Sequence, residues 1–203
     1  MKELIDLSEN IIHLKFEEGA TATAFLVNYE TRKYWVTAKH VFFGKERCSA
    51  EVFYNGKWHS FSISTKDYHD KFDIMTFTTG DDFPIVIGHG LKVIIPNYDN
   101  YGDEIFCLGF PYNASFDISI SGKEIPFVKR GVISSVNGGD CYLIDKMVAA
   151  GFSGGPVLIK NEQEYCVIGV ISCGSYQYVA VEKPDGIVKM AQNCPYRVPD
   201  EFT

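Results

Sequence analysis

The sequence predicts an all-β fold, with the strands arranged as a sandwich or a barrel. It contains a regular series of short runs rich in β-branched and aromatic residues, and turn residues separate these runs. Two hairpin signals, at Asn55-Gly56 and at residues 137–140, stand between such runs. Helix-length amphipathic patterns are scarce, the exceptions being a turn around residues 39–44 and the last residues of the chain.

The first half of the chain carries six predicted strands. Each is short, and turn residues bound it on both sides. Asn55-Gly56 predicts a two-residue hairpin because both positions tolerate positive φ at little cost. The predicted strands are residues 11–16, 23–29, 33–38, 50–55, 57–63 and 73–78.

The second half carries a further series of predicted strands, with hairpin chemistry at Asn137-Gly138-Gly139-Asp140. These strands are residues 104–110, 116–120, 126–136, 141–145, 155–159, 165–172 and 177–182. A segment with Pro, Asn and Gly separates the two series. We therefore predict an N-terminal unit over 1–93, a crossing at 94–102, a C-terminal unit over 103–190 and a tail over 191–203.

Composition narrows the classes of function. The chain has 203 residues, of which 46% are hydrophobic, and a formal net charge of −7. Scattered Lys and Arg on an acidic chain argue against nucleic acid as a partner. No apolar run is long enough to span a membrane, and the N-terminus lacks the basic and apolar regions of a signal peptide. We expect no membrane partner and a cytoplasmic location.

The six cysteines are Cys48, Cys107, Cys141, Cys166, Cys173 and Cys194. In a protein without an export signal, thiols are expected to remain reduced and to serve as small core residues. The cysteine and histidine spacings do not match a structural zinc site. We expect neither a metal nor a cofactor.

Ser153 stands in an unusual context, GFSGGPV, directly ahead of an apolar run. Two interpretations compete: a tight turn with an incidental serine, or a nucleophile placed where backbone N–H groups stabilise an oxyanion. The stretch also fits Gly-x-Ser-x-Gly, but that motif needs a following helix and a later histidine. Every histidine precedes Ser153 and the following run is extended, so the sequence excludes a nucleophile elbow.

A serine nucleophile needs a base, and the base needs an orienting acid. His40, in TAKHVF, ends a β-type run; it is either that base or a partly buried polar residue. Asp73, in FDIMTF, lies between Phe72 and Ile74, where an unpaired carboxylate would be costly to bury. It is either the acid or a turn-capping residue.

Together, TAKHVF, FDIMTF and GFSGGPV resemble the Thr-Ala-Ala-His, Asp-Ile-Ala-Leu and Gly-Asp-Ser-Gly-Gly-Pro blocks of the chymotrypsin/trypsin-like serine protease superfamily. The resemblance covers most of residues 10–182. GDEIFCLGFPY and KRGVIS are closest to the bacterial HtrA-type branch, and we expect that no PDZ-like domain fits after residue 182.

The resemblance implies two six-stranded antiparallel β-barrels, chymotrypsin-like, with the active site in the cleft between them. His40 and Asp73 would come from the first barrel, and Ser153 from the second. Ser153 would attack a peptide carbonyl, His40 would accept its proton, and Asp73 would orient His40. The N–H groups of Gly151 and Ser153 would form the oxyanion hole.

The same resemblance suggests how substrate is bound. Met147 would lie near the base of the first specificity pocket, so a small or medium apolar residue is expected before the cut. Ser172, Cys173 and Gly174 would form one wall and pair with a polypeptide substrate held as an extended strand. Phe152 replaces the acidic residue that pairs with a processed N-terminus in the digestive enzymes, so we expect competence without N-terminal processing.

The residues leave other functions open. A catalytically silent peptide-binding module with the protease fold is one alternative, and a viral-type processing protease of the same fold is another. A regulatory protein partner is compatible with the sequence, which does not identify one.

Overall fold

The structure is a computed structural model that describes residues 6–42, 48–86, 88–95, 100–111, 119–120, 122–137, 141–144, 150–172, 177–183 and 186–192. The strands within these residues, in chain order, are β1 (Ile11–Lys15), β2 (Thr21–Tyr29), β3 (Arg32–Thr37), β4 (Ser49–Tyr54), β5 (Lys57–Tyr68), β6 (Met75–Thr79), β7 (Glu104–Gly109), β8 (Ser119–Ile120), β9 (Lys123–Glu124), β10 (Phe127–Asn137), β11 (Cys141–Ile144), β12 (Pro156–Asn161), β13 (Glu164–Val170), β14 (Gln177–Lys183) and β15 (Gly186–Gln192). The described residues also include two 3-10 turns, Ser8–Asn10 and Lys39–Val41.

The first six strands form a closed antiparallel barrel in the order β1-β2-β3-β6-β5-β4. Pairing of Leu14 with Val52 joins β1 to β4 and closes it. Alternate residues of each strand point inward, so Leu14, Ala24 and Leu26 are buried in the barrel interior. The all-β fold class is therefore confirmed.

The Asn55-Gly56 hairpin is confirmed. Tyr54 pairs with Lys57 across it, and Asn55 and Gly56 have φ of 49° and 76°. Positive φ at both central positions matches the right-handed twist of the flanking strands. The turn joins β4 to β5.

The second half forms a five-stranded sheet in the order β11-β10-β7-β12-β13, with every pair antiparallel. Most of the predicted strand 116–120 and the turn residues 138–140 lie outside the described residues. Strands β8 and β9 form a small separate pair. One closed six-stranded barrel followed by a second antiparallel sheet agrees with the predicted architecture.

A shared core joins the barrel to the second sheet. On β2, Ala24 and Leu26 point into the barrel, whereas Phe25 and Val27 pack with Leu158 of β12 and other residues outside it. Residues 22–27 are buried without interruption, because both faces of β2 are covered. The second sheet therefore lies against the outer face of this strand.

Residues just ahead of and at the start of the predicted crossing are hydrogen-bonded to both halves. The Leu91 N–H donates to Leu26 O on β2 at 2.7 Å. Two further bonds, from Val167 N–H to Lys92 O at 2.8 Å and from Ile94 N–H to Val167 O at 3.0 Å, attach the next residues to β13. Residues 91–94, called the connecting segment below, thus pair with a strand of each half.

The chain divides into two compact units, residues 1–172 and 173–203. In the second unit, β14 and β15 pair as an antiparallel hairpin. Strand β14 matches the predicted strand 177–182, whereas the sequence analysis assigned no strand at 186–192. No helix among the described residues combines the length and the apolar content needed to cross a bilayer.

Candidate active site

His40 lies in the 3-10 turn that follows β3. The backbone is extended through Ala38 and then turns over Lys39–Val41. The Lys39 N–H donates to the backbone oxygen of Asp73 at 3.3 Å, which joins this turn to the segment ahead of β6. His40 and Asp73, 33 positions apart in the sequence, are thereby brought together.

The Asp73 carboxylate contacts His40 through both of its oxygens. The His40 backbone N–H donates to Oδ1 at 2.7 Å, and the ring nitrogen Nδ1 lies 2.5 Å from Oδ2. The side chains are 45% exposed for His40 and 27% exposed for Asp73. Bonding of Nδ1 to the carboxylate leaves the other ring nitrogen, Nε2, as the basic atom of the pair.

Ser172 provides a third donor to the same carboxylate. Its hydroxyl donates to Asp73 Oδ2 at 2.5 Å. Ser172 was predicted only as part of a substrate-binding wall, and sequence reasoning missed this bond. The residue follows the apolar run of β13, but no local pattern indicates that its hydroxyl points at a carboxylate 99 positions earlier.

These donors set the ionisation of Asp73. Partial burial alone would raise the pKa of its carboxyl group. The hydrogen bonds from the His40 ring, the Ser172 hydroxyl and the His40 backbone outweigh burial, so the pKa of Asp73 lies below its usual value of 3.8. The carboxylate is therefore ionised at neutral pH.

Ser153 lies in a compact loop that precedes β12. Gly151 and Gly154 have φ of 96° and 83°, conformations that favour glycine. The Gly155 N–H donates to Phe152 O at 2.8 Å, and Gly154 N–H and Ile171 O are joined at the same distance. Ser153 itself is buried, with 7% of its surface exposed.

Phe152 anchors this loop in the core. Its side chain is fully buried with Ile105, Cys107 and Val157. The Lys129 ammonium group lies 5.1 Å from the centroid of the Phe152 ring. Competence without N-terminal processing stays a prediction.

The loop also contacts the barrel beside His40. The Thr23 N–H on β2 donates to Ser153 O at 2.9 Å. A Cβ atom on Gly154 would lie 2.0 Å from Thr37 Oγ1 and 2.8 Å from Ala38 N, two residues before His40. The structure therefore brings the Ser153 loop against the segment that carries His40.

The structure does not link all of the predicted site residues by hydrogen bonds. Among the described residues, no hydrogen bond connects Ser153 Oγ with His40 Nε2. Met147, Cys173 and Gly174, predicted to shape the specificity pocket, lie outside the described residues. Gly151 and Ser153, the predicted oxyanion-hole residues, both lie in the loop ahead of β12.

A closed barrel with a His–Asp pair, followed by a second antiparallel sheet with a serine in a glycine-rich loop ahead of one strand, together define the class of trypsin-like serine protease folds. A family model described as a trypsin-like peptidase domain matches residues 22–170. The chain belongs to this family.

The comparison with curated protein sequences gave no match. Among solved structures, the chain is similar to the serine endoprotease from Yersinia pestis, with 17% identity and a TM-score of 0.58 over 94% of this chain. It spans only 61% of that protein. It is also similar to an inactive mutant form of Rv3671c from M. tuberculosis H37Rv, with 16% identity, a TM-score of 0.55, and coverage of 93% of this chain and 84% of the other. At these identities the likeness shows the fold.

Proposed function

We propose that this chain is a serine endopeptidase that cleaves polypeptides through Ser153, His40 and Asp73. Ser153 Oγ attacks the scissile carbonyl carbon while His40 Nε2 accepts the hydroxyl proton. The tetrahedral intermediate collapses, the C–N bond breaks, and His40 returns the proton to the leaving amine. Water then attacks the acyl carbon while His40 Nε2 accepts its proton; the ester C–O bond breaks, His40 returns the proton to Ser153 Oγ, and the second product leaves.

The observation that carries this proposal is the two-point contact between Asp73 and His40. An ionised carboxylate bonded to Nδ1 stabilises the imidazolium that forms during attack and fixes the tautomer with Nε2 basic. The bond from the His40 backbone N–H to Oδ1, at 2.7 Å, limits rotation of the carboxylate. A solvated aspartate beside a surface histidine would not need this second bond.

The oxyanion hole in this proposal consists of the N–H groups of Gly151 and Ser153. Peptide donors fixed before the reaction stabilise developing negative charge without reorganisation, and one donor contributes roughly 3 kcal/mol in related enzymes. Gly151 supports this assignment because its φ of 96° is a conformation that L side chains rarely adopt. A Cβ there would also lie 2.1 Å from Phe110 O.

The substrate in this proposal is an extended polypeptide with a small or medium apolar residue before the cut. Cleavage of a peptide library, with the new C-termini read by mass spectrometry, tests the preference. Products that end only in Lys or Arg would refute it.

We also propose a cytoplasmic location, which fractionation of the cells that make the protein would test.

Labelling with a fluorophosphonate probe tests catalysis by Ser153. We expect the native chain and Ser60→Ala to be labelled at equal rates, since Ser60 is an exposed residue of β5. Ser153→Ala should not react, and His40→Ala should react far more slowly. Labelling that persists in Ser153→Ala would contradict the assignment of the nucleophile.

The same experiment separates an enzyme from a binding module. A folded native chain that takes up no probe, yet retains an extended peptide in a binding assay, would favour the silent peptide-binding alternative. Labelling that appears only after addition of a peptide effector would indicate an enzyme whose site is completed on binding.

A further inference from the structure

Thr23 of β2 is a buried residue whose hydroxyl bonds to two segments of the second half. The side chain is fully buried. Its Oγ1 donates to Gly151 O at 2.7 Å and accepts the Phe110 N–H at 3.1 Å. The hydroxyl thus uses its proton on the Ser153 loop and a lone pair on the end of β7.

The main chain of Thr23 adds a second contact with the same loop. Its N–H donates to Ser153 O at 2.9 Å. Thr23 therefore holds the carbonyl oxygens of both residues whose N–H groups form the proposed oxyanion hole. Because each peptide unit is planar, fixing the oxygen of Gly151 fixes the whole plane between Gly151 and Phe152. The Gly151 N–H belongs to the preceding plane and can then turn only through the two dihedral angles of Gly151.

The hydroxyl also sets the spacing between the loop and β7. The Cβ position of Gly151 lies 2.1 Å from Phe110 O, so these two backbones are in close contact. The same Thr23 hydroxyl binds the Phe110 N–H on one side and Gly151 O on the other. Without it, a buried N–H and a buried C=O at this contact would both lack their partner, a state that costs free energy.

Thr23 is linked to the segment of His40 as well. Its carbonyl oxygen accepts the Thr37 hydroxyl at 2.8 Å, and Thr37 ends β3, three residues before His40. The two threonines thus connect the Ser153 loop, the end of β7 and the end of β3. The catalytic mechanism proposed above assigns no role to either residue.

We propose that Thr23 is a positioning residue, whose hydroxyl holds the Gly151 carbonyl and thereby orients the Gly151 N–H group toward the oxyanion. This inference rests on the proposed function. Thr23 touches no reacting atom; it acts through the loop. A displacement of catalytic groups by about 1 Å can lower a rate by a factor on the order of 100. Loss of the hydroxyl should therefore slow the chemical step rather than probe binding.

The test compares Thr23→Val, which removes the hydroxyl at nearly constant shape, with Thr23→Ser, which keeps it. Thr78→Val is the matched control, because Thr78 is a partly exposed threonine of β6 whose hydroxyl bonds to that of Thr65 in the barrel wall. The readouts are the maximal rate of fluorophosphonate labelling, the probe concentration at half-maximal rate, and the pH dependence of that rate.

We expect Thr23→Val to lower the maximal labelling rate about 10- to 100-fold. The half-saturating concentration and the pH midpoint should be unchanged, since the His40–Asp73 pair is intact. Thr23→Ser should stay within about threefold of the native rate, and Thr78→Val should match it. A folded Thr23→Val that labels at the native rate would overturn the inference, as would equal losses in Thr23→Val and Thr23→Ser.

Amide hydrogen exchange keeps the inference testable if the proposed function fails. Even without any labelling, exchange in residues 151–155 should be faster in Thr23→Val than in Thr78→Val. Equal exchange in the two variants would overturn the role of Thr23 independently of catalysis. If Thr23→Val does not fold, Thr23→Ala removes the same hydroxyl without the γ-methyl groups and is subject to the same outcomes.

Discussion

At the scale of the residue, Asp73 is the most heavily hydrogen-bonded group of the site. Its carboxylate accepts the His40 N–H, the His40 ring and the Ser172 hydroxyl. These bonds favour the ionised form, and the lowered pKa of Asp73 records that preference. A group of this kind links the geometry of the site to the stability of the fold.

The lowered pKa of Asp73 predicts how stability depends on pH. Because the folded-state pKa lies below the unfolded-state value of about 3.9, the stabilisation is complete above that value and is lost as pH falls through the folded-state pKa. Asp73→Asn lacks this contribution. We expect native and Asp73→Asn urea midpoints to differ most at pH 7 and to converge toward pH 3.

Both proteins carry the same other carboxyl groups, so the difference between their midpoints isolates Asp73. A difference that grows on acidification would contradict the lowered pKa.

The labelling rate of Asp73→Asn provides an independent comparison, because an amide at this position disfavours the required tautomer of His40 and should reduce the rate by a factor on the order of 10⁴.

The residues of the site differ in how far sequence alone could predict them. His40, Asp73 and Ser153 stand in recognisable blocks, and the contact of His40 with Asp73 agrees with the resemblance. Thr23 and the bond of Ser172 to Asp73 escaped prediction. Their roles depend on where side chains point after two distant strands pack, and no local pattern encodes that direction.

At the scale of the element, the Ser153 loop combines left-handed backbone with close packing. Gly154 and Gly19 have nearly equal φ, 83° and 79°. They differ in surroundings, since a Cβ on Gly19 meets nothing within 4 Å, whereas on Gly154 it would lie 2.3 Å from Thr23 O. The pair separates the cost of backbone conformation from the cost of steric overlap.

We expect Gly19→Ala to lower the free energy of unfolding by about 1 kcal/mol, the cost of a left-handed alanine. Gly154→Ala should lose about 3 kcal/mol or more, because the barrel segment must also move. Urea denaturation of both variants measures the difference. Equal losses would mean that the loop can shift away from β2 without strain.

A second element-scale feature is a buried polar contact made by His13 of β1. His13 Nδ1 lies 2.7 Å from Glu124 Oε2 on β9, and the two side chains are only 1% and 3% exposed. His13 also stacks on Phe110, with the ring centroids 4.6 Å apart. The small β8–β9 pair is thereby attached to the barrel through a buried polar contact.

Removing the acidic partner should be costly. Glu124→Ala leaves the His13 Nδ1 buried without its acceptor, and we expect a loss of about 1–3 kcal/mol in the free energy of unfolding. Glu124→Gln keeps an acceptor and should lose less. Glu164→Ala is the control, since its 3.0 Å pair with Lys92 is about 60% exposed, and ion pairs exposed to solvent contribute little to stability. Similar losses for Glu124→Ala and Glu164→Ala would disprove the stabilising contact.

The positions of the strands were predicted better than the long-range contacts between them. The strands of the first half and the Asn55-Gly56 turn follow from alternation and turn chemistry, which are local signals. The strand over residues 186–192 was not predicted, although the apolar residues Val188 and Met190 stand two positions apart in it. The His13–Glu124 contact joins positions 111 residues apart, and nothing near either residue indicates it.

At the scale of the whole molecule, residues 6–172 contain a barrel and a sheet that share one apolar core. Leu158 of β12 is fully buried in that core with Phe25, Val27 and Val36 of the barrel. Strands that share buried surface are expected to unfold together. The two tryptophans of the chain, Trp35 and Trp58, both lie in the barrel, so their fluorescence follows that half alone.

We expect Leu158→Ala, a change in the second sheet, to destabilise the barrel by about 2–5 kcal/mol. Tryptophan fluorescence and far-UV circular dichroism should report the same lowered urea midpoint. Val128→Ala removes a 45% exposed side chain and should leave the midpoint nearly unchanged. A fluorescence transition that stays in place while the dichroism transition shifts would show that the halves unfold separately.

The connecting segment has a practical consequence for protein engineering. A hybrid that joins this barrel to the second half of another peptidase would place the junction within residues 91–94. Those residues pair with β2 on one side and with β13 on the other. The segment chosen for the hybrid must therefore be compatible with the barrel strand and with the strand of the second half. Chimeras in which the segment and β13 come from the same parent should fold better than chimeras in which the junction lies between the segment and β13.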